Sequence, residues 1–172
     1  VGGKELSLFE IMIAKTFDKE RDFDLYEEYQ KIREELISIH YDTIAPSTML
    51  QLVALIIQRE CTRKSILKLE RDDFIANWSI AMDCLRSAVD FLRNFGIPVS
   101  RLLPYNTLVV PFAYYFYKQP HNPSGESLKL IEDFFWRCSL GNRYSSGVES
   151  KLVQDIDRID KNIEGVNPRY DW

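Results

Sequence analysis

The residues best suited to bind a charged ligand lie between positions 137 and 149, a segment that we call the corner. Arg143, Ser145 and Ser146 stand just before a predicted helix, whose first N–H groups have no partner within that helix. A helix N-terminus also carries partial positive charge, so this arrangement is typical of a site for an anion such as phosphate. Arg137, near the end of the preceding helix, gives the corner its second arginine.

The same corner has a purely structural interpretation. Ser146 and Glu149 have the spacing of a capping box, in which the hydroxyl and the carboxylate each accept a hydrogen bond from a backbone N–H. In this interpretation Arg143 pairs with Glu149 or Asp155, and Tyr144 joins the two helices. Because clustered charges often belong to structural networks, the sequence favours this interpretation and leaves the anion site as the alternative.

A second candidate is a basic segment that follows a very apolar predicted helix. Its members are Arg59, Arg63, Lys64, Lys68 and Arg71. Such side chains bind nucleic acid by neutralising phosphates. Four acidic residues between positions 60 and 73 dilute the segment, so a solvated helix face is the more ordinary interpretation. The net charge of −4 and pI near 5.3 argue against electrostatic binding of nucleic acid by the whole surface, so any DNA contact would have to be local.

Signals for catalysis are weak in this sequence. His40 and His121 are isolated, and we find no glycine-rich phosphate loop, no metal-ligand spacing and no nucleophile–base pair. We therefore expect no metal, no cofactor and no independent enzyme. Three scattered cysteines predict buried thiols in a reducing compartment, with the cytoplasm as the default. The sequence has no apolar run long enough to span a membrane.

Helical periodicity predicts the elements that hold the corner in place. One helix ends at Gly141, which suits a left-handed terminal residue, and the next begins at Ser146. Upstream helices are predicted from Ser7 to Thr16, from Asp24 to about residue 40, from Pro46 or Ser47, and from Thr62 to Leu69. A long helix then runs from Asp72 or Asp73 to Gly96, and another, capped by Asn106, from Leu108 to Tyr117.

With 172 residues, 45% of them hydrophobic, the chain is long enough for one domain with a substantial core. Strand-like alternation is lacking, so we predict an all-α fold: an irregular bundle of about seven or eight helices with negligible sheet. The domain is expected to cover residues 1–172, with loose ends at Gly2-Gly3 and at residues 166–172. In the first helix Phe9, Met12 and Ile13 are not expected to face one core together, so a second subunit is predicted to cover an apolar strip.

Three passages carry a resemblance to a known family. They are Gly2–Glu10 with Ala14, Leu102–Asn106 running into Val110-Pro111, and Trp136–Ser139 followed by Arg143–Leu152 and Asp155-Ile156. Together they resemble the C-terminal helical part of a large bacterial domain family that includes the specificity half of GmrSD-type, modification-dependent restriction systems. The match runs in order along nearly the whole chain.

The resemblance implies a function that depends on another domain. In that family an Asp-Gly-Gln-Gln-Arg-like catalytic motif, on a ParB-like nuclease fold, precedes the Gly-Gly passage, and nothing like it occurs here. The expected function is that of a non-catalytic helical region, part of a longer protein, that braces the nuclease-like domain and contacts DNA. The alternative is a structural or oligomerising helical module with no ligand of its own.

Overall fold

The computed structural model describes residues 6–166. Its eight α-helices are α1 Leu8–Thr16, α2 Leu25–Ser38, α3 Pro46–Gln58, α4 Arg63–Leu67, α5 Arg71–Asn94, α6 Val109–Lys118, α7 Gly125–Leu140 and α8 Val148–Ile163. Short 3-10 turns occupy Ser100–Leu102, Asn106–Leu108 and Arg143–Ser145. In this described part of the chain, extended pairing is limited to one isolated bridge between Asp18 and Phe23. The predicted all-α irregular bundle with negligible sheet is confirmed.

The longest helix, α5, is the scaffold of the bundle. Its inner face repeats at helical spacing, and the buried residues include Phe74, Trp78, Ala81, Leu85, Ala88, Val89 and Leu92. This face packs against α1, α3 and α6. At 1.5 Å per residue the helix is roughly 36 Å long, so it spans a small domain from one end to the other.

The apolar helices α3 and α6 fill the centre of the molecule. Most of α3 is buried, as its continuous apolar run predicts, and Pro46 occupies its first turn, where a missing N–H costs little. Four of the five aromatic residues of α6 are buried, and only Tyr117 is substantially exposed. Because α6 also packs against α8, it places the corner next to the core.

The predicted side-chain caps form at the start of two helices, α1 and α2, and the cap predicted for α6 does not form. The predicted capping box of α1 forms, with Glu10 N–H donating to Ser7 Oγ at 3.2 Å and Ser7 N–H donating to Glu10 Oε2 at 2.7 Å. Asp24 caps α2 by accepting from Tyr26 N–H at 2.8 Å. Asn106 does not cap α6, because its amide instead accepts from Thr43 Oγ1 at 2.8 Å and donates to the Thr43 carbonyl at 2.9 Å.

The first helix packs more completely than its sequence predicts. Met12 is fully buried, and both Phe9 and Ile13 pack against the same core while remaining half-buried. The expectation that these three cannot face one core is therefore wrong, since α1 lies in a groove with α2, α3, α4 and α5 around it. The large exposed apolar side chains near α1 flank its two ends, where Leu6 is 58% and Phe17 52% exposed.

Two expectations concern residues outside the described range. These are the loose Gly2-Gly3 passage and, except for Val166 itself, the loose tail at residues 166–172. Within residues 6–166, no helix has both the length and the apolar character needed to cross a membrane.

Candidate functional site

The corner turns the chain between α7 and α8, and its geometry differs from the predicted one at Gly141. That glycine has φ −82°, and its N–H closes the last turn of α7 on the Arg137 carbonyl at 2.9 Å. The left-handed residue is Asn142, with φ 51°. Asparagine tolerates this conformation better than most residues, so the reversal occurs one position later than the glycine signal predicts.

The predicted Ser146–Glu149 capping box is also wrong. Helix α8 begins at Val148 after the left-handed Gly147, whose φ is +60°, and it has no side-chain cap. Ser146 is extended and exposed one position before the N-cap, which puts its hydroxyl out of register with the N–H that a capping box requires. The nearby Ser150 hydroxyl instead donates to the Gly147 carbonyl at 3.0 Å.

Arg143 points into the protein and pairs with α8. Its Nε lies 3.1 Å from each carboxylate oxygen of Asp155, and its Nη2 lies 3.0 Å from Oδ1. Nη2 also donates to Gln154 Oε1 at 2.8 Å and to the Lys151 carbonyl at 3.4 Å. Of the two partners that the sequence predicts for Arg143, the structure selects Asp155, and Glu149 lies exposed on the surface.

Asp155 is the centre of this network and is fully buried. It accepts from Tyr144 Oη at 2.6 Å and from Arg158 Nη1 at 2.6 Å, in addition to Arg143. Burial, reinforced by the neighbouring Asp155 carboxylate, raises the pKa of Tyr144 well above its ordinary value, so the phenol stays protonated and donates. Tyr144 therefore joins the corner to α8.

A second passage of the sequence meets the corner in space. Tyr105, which precedes α6, donates from its hydroxyl to Asn142 Oδ1 at 3.1 Å. Its ring lies edge-on to that of Tyr144, with 6.1 Å between centroids. The Leu102–Asn106 passage and the corner, which are distant in sequence, thus meet in one network.

This geometry closes the corner to a large anion on its inner side. Arg143 is only 6% exposed, and its guanidinium is already occupied by an acidic partner and two other acceptors. The cleft of about 440 Å³ beside the start of α8 is lined in part by Glu60 and Glu149. Two carboxylates there disfavour phosphate, even though a helix N-terminus by itself favours one.

The other predicted corner residues remain on the surface. Ser145 and Ser146 are exposed, and Ser145 N–H donates to the Asn142 carbonyl at 3.1 Å. Arg137 is exposed on α7, where its Nε donates to Asp133 at 2.7 Å. Arg137 and Arg143 therefore belong to different environments, and only Arg143 belongs to the buried network.

Two members of the basic segment lie beside carboxylates, and three do not. Arg59, the left-handed residue that follows α3, reaches α6 and α8, where it donates to Tyr114 Oη at 2.6 Å and pairs with Asp157 and Asp160. Arg71 lies near the carboxylates of Asp18 and Asp72. The remaining three members are exposed on or just after α4 and make no ion pair within residues 6–166; they are Arg63, Lys64 and Lys68.

Some members of these networks were not predicted from the sequence. Arg158 and Gln154 complete the Asp155 cluster, and Asp157 and Asp160 hold Arg59. The spacing of Asp155 and Arg158 on one helix face is the available signal for the first pair. The partners of Arg59 lie about 100 residues away, and no local pattern connects them.

Within residues 6–166 we find neither a metal-binding cluster nor an exposed cysteine. No group of three or more His, Cys, Asp or Glu residues within this range is placed to hold a metal ion. All three cysteines are free and buried, as predicted. Burial raises the pKa of Cys61 to about 12 and that of Cys84 to about 11, so both thiols are poor nucleophiles at neutral pH.

Comparison with known proteins identifies no relative that could assign a role to these residues. No protein-family model matches the chain, and no curated protein or solved structure matches it. Functional inference therefore depends on the residues themselves.

Proposed function

We propose that this chain is a non-catalytic helical region of a DNA-processing protein like the restriction-system proteins it resembles. Its proposed role is to brace a ParB-like nuclease domain. The supporting observation is that residues carrying the resemblance lie in one network, in which the half-buried Tyr105 contacts the buried Tyr144 and Asp155 pair. Side chains committed to such a network fix the angle between helices, which is the property that a brace requires.

The ends of α1 supply the surface for this role. The resemblance assigns the α1 passage to the junction with the nuclease-like domain. Leu6 and Phe17 are each more than half exposed there, and covering them would remove apolar surface from water. We expect a ParB-like nuclease domain of the resembling family to co-purify with this chain and a Phe17→Asp substitution to weaken that association.

Light scattering distinguishes the alternative function. If the chain alone forms a stable dimer that the Phe17→Asp substitution dissociates, the oligomerising module is favoured over the brace. A chain that neither dimerises nor associates with a nuclease domain would contradict both roles for α1.

Direct DNA contact, in this proposal, runs through the three exposed cations on and after α4. Arg59, Arg71 and Arg143 lie beside acidic partners, which leaves Arg63, Lys64 and Lys68 as the exposed members that make no ion pair within residues 6–166. About three neutralised phosphates give a logarithmic salt slope of about −3 and weak binding at moderate salt. The contact is therefore expected to support the brace and not to recognise sequence.

The DNA contact is tested by titrating labelled duplex at low and moderate salt. Replacing Arg63, Lys64 and Lys68 together by alanine should abolish low-salt binding. A matched control removes the same charge from other exposed surfaces, at Arg33, Arg101 and Lys129, and should retain most of the binding. Equal losses in the two triple variants would show that only net charge matters and would contradict a local contact at α4.

A further inference from the structure

A cleft between the end of α5 and the start of α7 belongs neither to the corner nor to the basic segment. Its volume is about 280 Å³, and it is lined by Phe91, Asn94, Phe95, Asn122, Pro123, Leu128 and Glu132. Phe91 follows Arg71 by about 20 residues along α5, which at 1.5 Å per residue is roughly 30 Å. The cleft therefore lies at the opposite end of the scaffold helix from the basic segment.

Aromatic rings form one wall of this cleft. Phe91 and Phe95 are stacked on each other with 5.9 Å between centroids and an interplanar angle of 11°, and both are half-buried. The aromatic surface continues onto α7, because the Trp136 ring lies 6.4 Å from that of Phe95. Trp136 is 53% exposed and Leu140, one turn further on, is 78% exposed. A ligand in the cleft would therefore have an apolar surface beside it.

The only charge among the residues that line the cleft is negative. Glu132 is its single charged residue, Asn94 and Asn122 supply amides, and no lysine or arginine lines it. Within residues 6–166 the half-buried Glu132 carboxylate makes no ion pair or side-chain hydrogen bond, whereas its neighbour Asp133 is paired with Arg137. A carboxylate that loses water on binding needs a cationic partner, so the cleft is complementary to a cation.

We propose that this cleft binds an arginine side chain of a partner protein, with apolar residues of the same segment resting on Trp136 and Leu140. A planar guanidinium stacks on aromatic faces and donates two hydrogen bonds to a carboxylate, which fits the Phe wall and Glu132. The asparagine carbonyls can accept its remaining N–H groups. Buried arginines and aromatic residues commonly anchor protein interfaces, and here the two would lie side by side.

The test uses two short peptides, acetyl-Leu-Leu-Arg-Leu-amide and its citrulline analogue, which keeps the shape of arginine without the charge. The side-chain amide signals of Asn94 and Asn122 are followed by NMR during each titration. The arginine peptide should shift these signals and bind at least about fivefold more tightly than the citrulline peptide, since charge-assisted hydrogen bonds are the stronger kind.

Two variants localise the contact. Glu132→Gln should reduce arginine-peptide affinity to that of the citrulline peptide, whereas Asp133→Asn, one position along α7 and outside the cleft, should leave affinity within about twofold. Circular dichroism establishes that both variants are folded.

Three results would overturn the proposal. The first is equal binding of the two peptides, and the second is absence of shifts at millimolar peptide. The third is a change of the cleft signals with protein concentration alone, which would identify a second copy of this chain as the occupant.

Discussion

Substitution of Asp155 by asparagine is the sharpest test of the buried network. The change keeps the shape of the side chain but removes the charge that faces Arg143 and Arg158, of which Arg143 is 6% exposed. Removing one partner of a buried ion pair typically costs about 3–5 kcal/mol, because the other charge is left uncompensated. Arg143 keeps Gln154 and the Lys151 carbonyl, so we expect about 3 kcal/mol.

The loss is measured by urea unfolding followed by circular dichroism. For a domain of this size about 3 kcal/mol lowers the thermal midpoint by roughly 6–12 °C. Glu149→Gln is the matched control, because it makes the same chemical change at an exposed position on the same helix. Its cost should stay below about 1 kcal/mol, the usual limit for a charge near a helix N-terminus.

A double-mutant cycle shows whether the effect belongs to the pair. Arg143→Met and Asp155→Asn together should cost less than the sum of the two single changes, with a coupling of about 0.5–3 kcal/mol. An additive cycle, or a loss below about 1 kcal/mol for Asp155→Asn, would refute the network as the main stabiliser of the corner. A midpoint that phosphate raises more than sulfate does at equal ionic strength would instead favour a phosphate site at the corner.

Three further outcomes are expected from local geometry. Ser7→Ala should cost about 1 kcal/mol because the α1 capping box is formed, whereas Ser146→Ala should change stability by less than about 0.5 kcal/mol; equal effects in urea unfolding would contradict these assignments. In the folded protein, iodoacetamide near pH 8 should alkylate the three buried cysteines far more slowly than in the unfolded protein. Mass spectrometry that finds one thiol of the folded protein reacting at the rate of a free cysteine would contradict this burial. Burial raises the pKa of Cys61 to about 12 and that of Cys84 to about 11, so at high pH the folded state keeps protons that the unfolded chain releases. The free energy of unfolding should therefore fall as the pH rises from about 9 towards 12. A urea midpoint that rises over this range would contradict the prediction.

The sequence by itself determines the helices and most of their buried faces. Apolar spacing along α5 and α8 predicts Trp78, Leu85, Leu152 and Ile156 as inward residues, and all four are buried. The Ser7 capping box is predicted and formed, because every participating group lies within one turn. Helical periodicity and capping depend on neighbours three or four positions apart, which the sequence displays directly.

Only the tertiary structure decides which charged groups are available at the surface. A one-residue shift in the start of α8 removes the Ser146 cap, and the approach of the corner to α8 selects Asp155 over Glu149 for Arg143. Similarly, Arg59 pairs with carboxylates about 100 residues away along the chain and not with its neighbours in the basic segment. The cleft that contains Glu132 is formed by residues of α5 together with residues in and just before α7. These pairings depend on where packed helices bring side chains together, and helix packing is set by the whole core rather than by any local pattern.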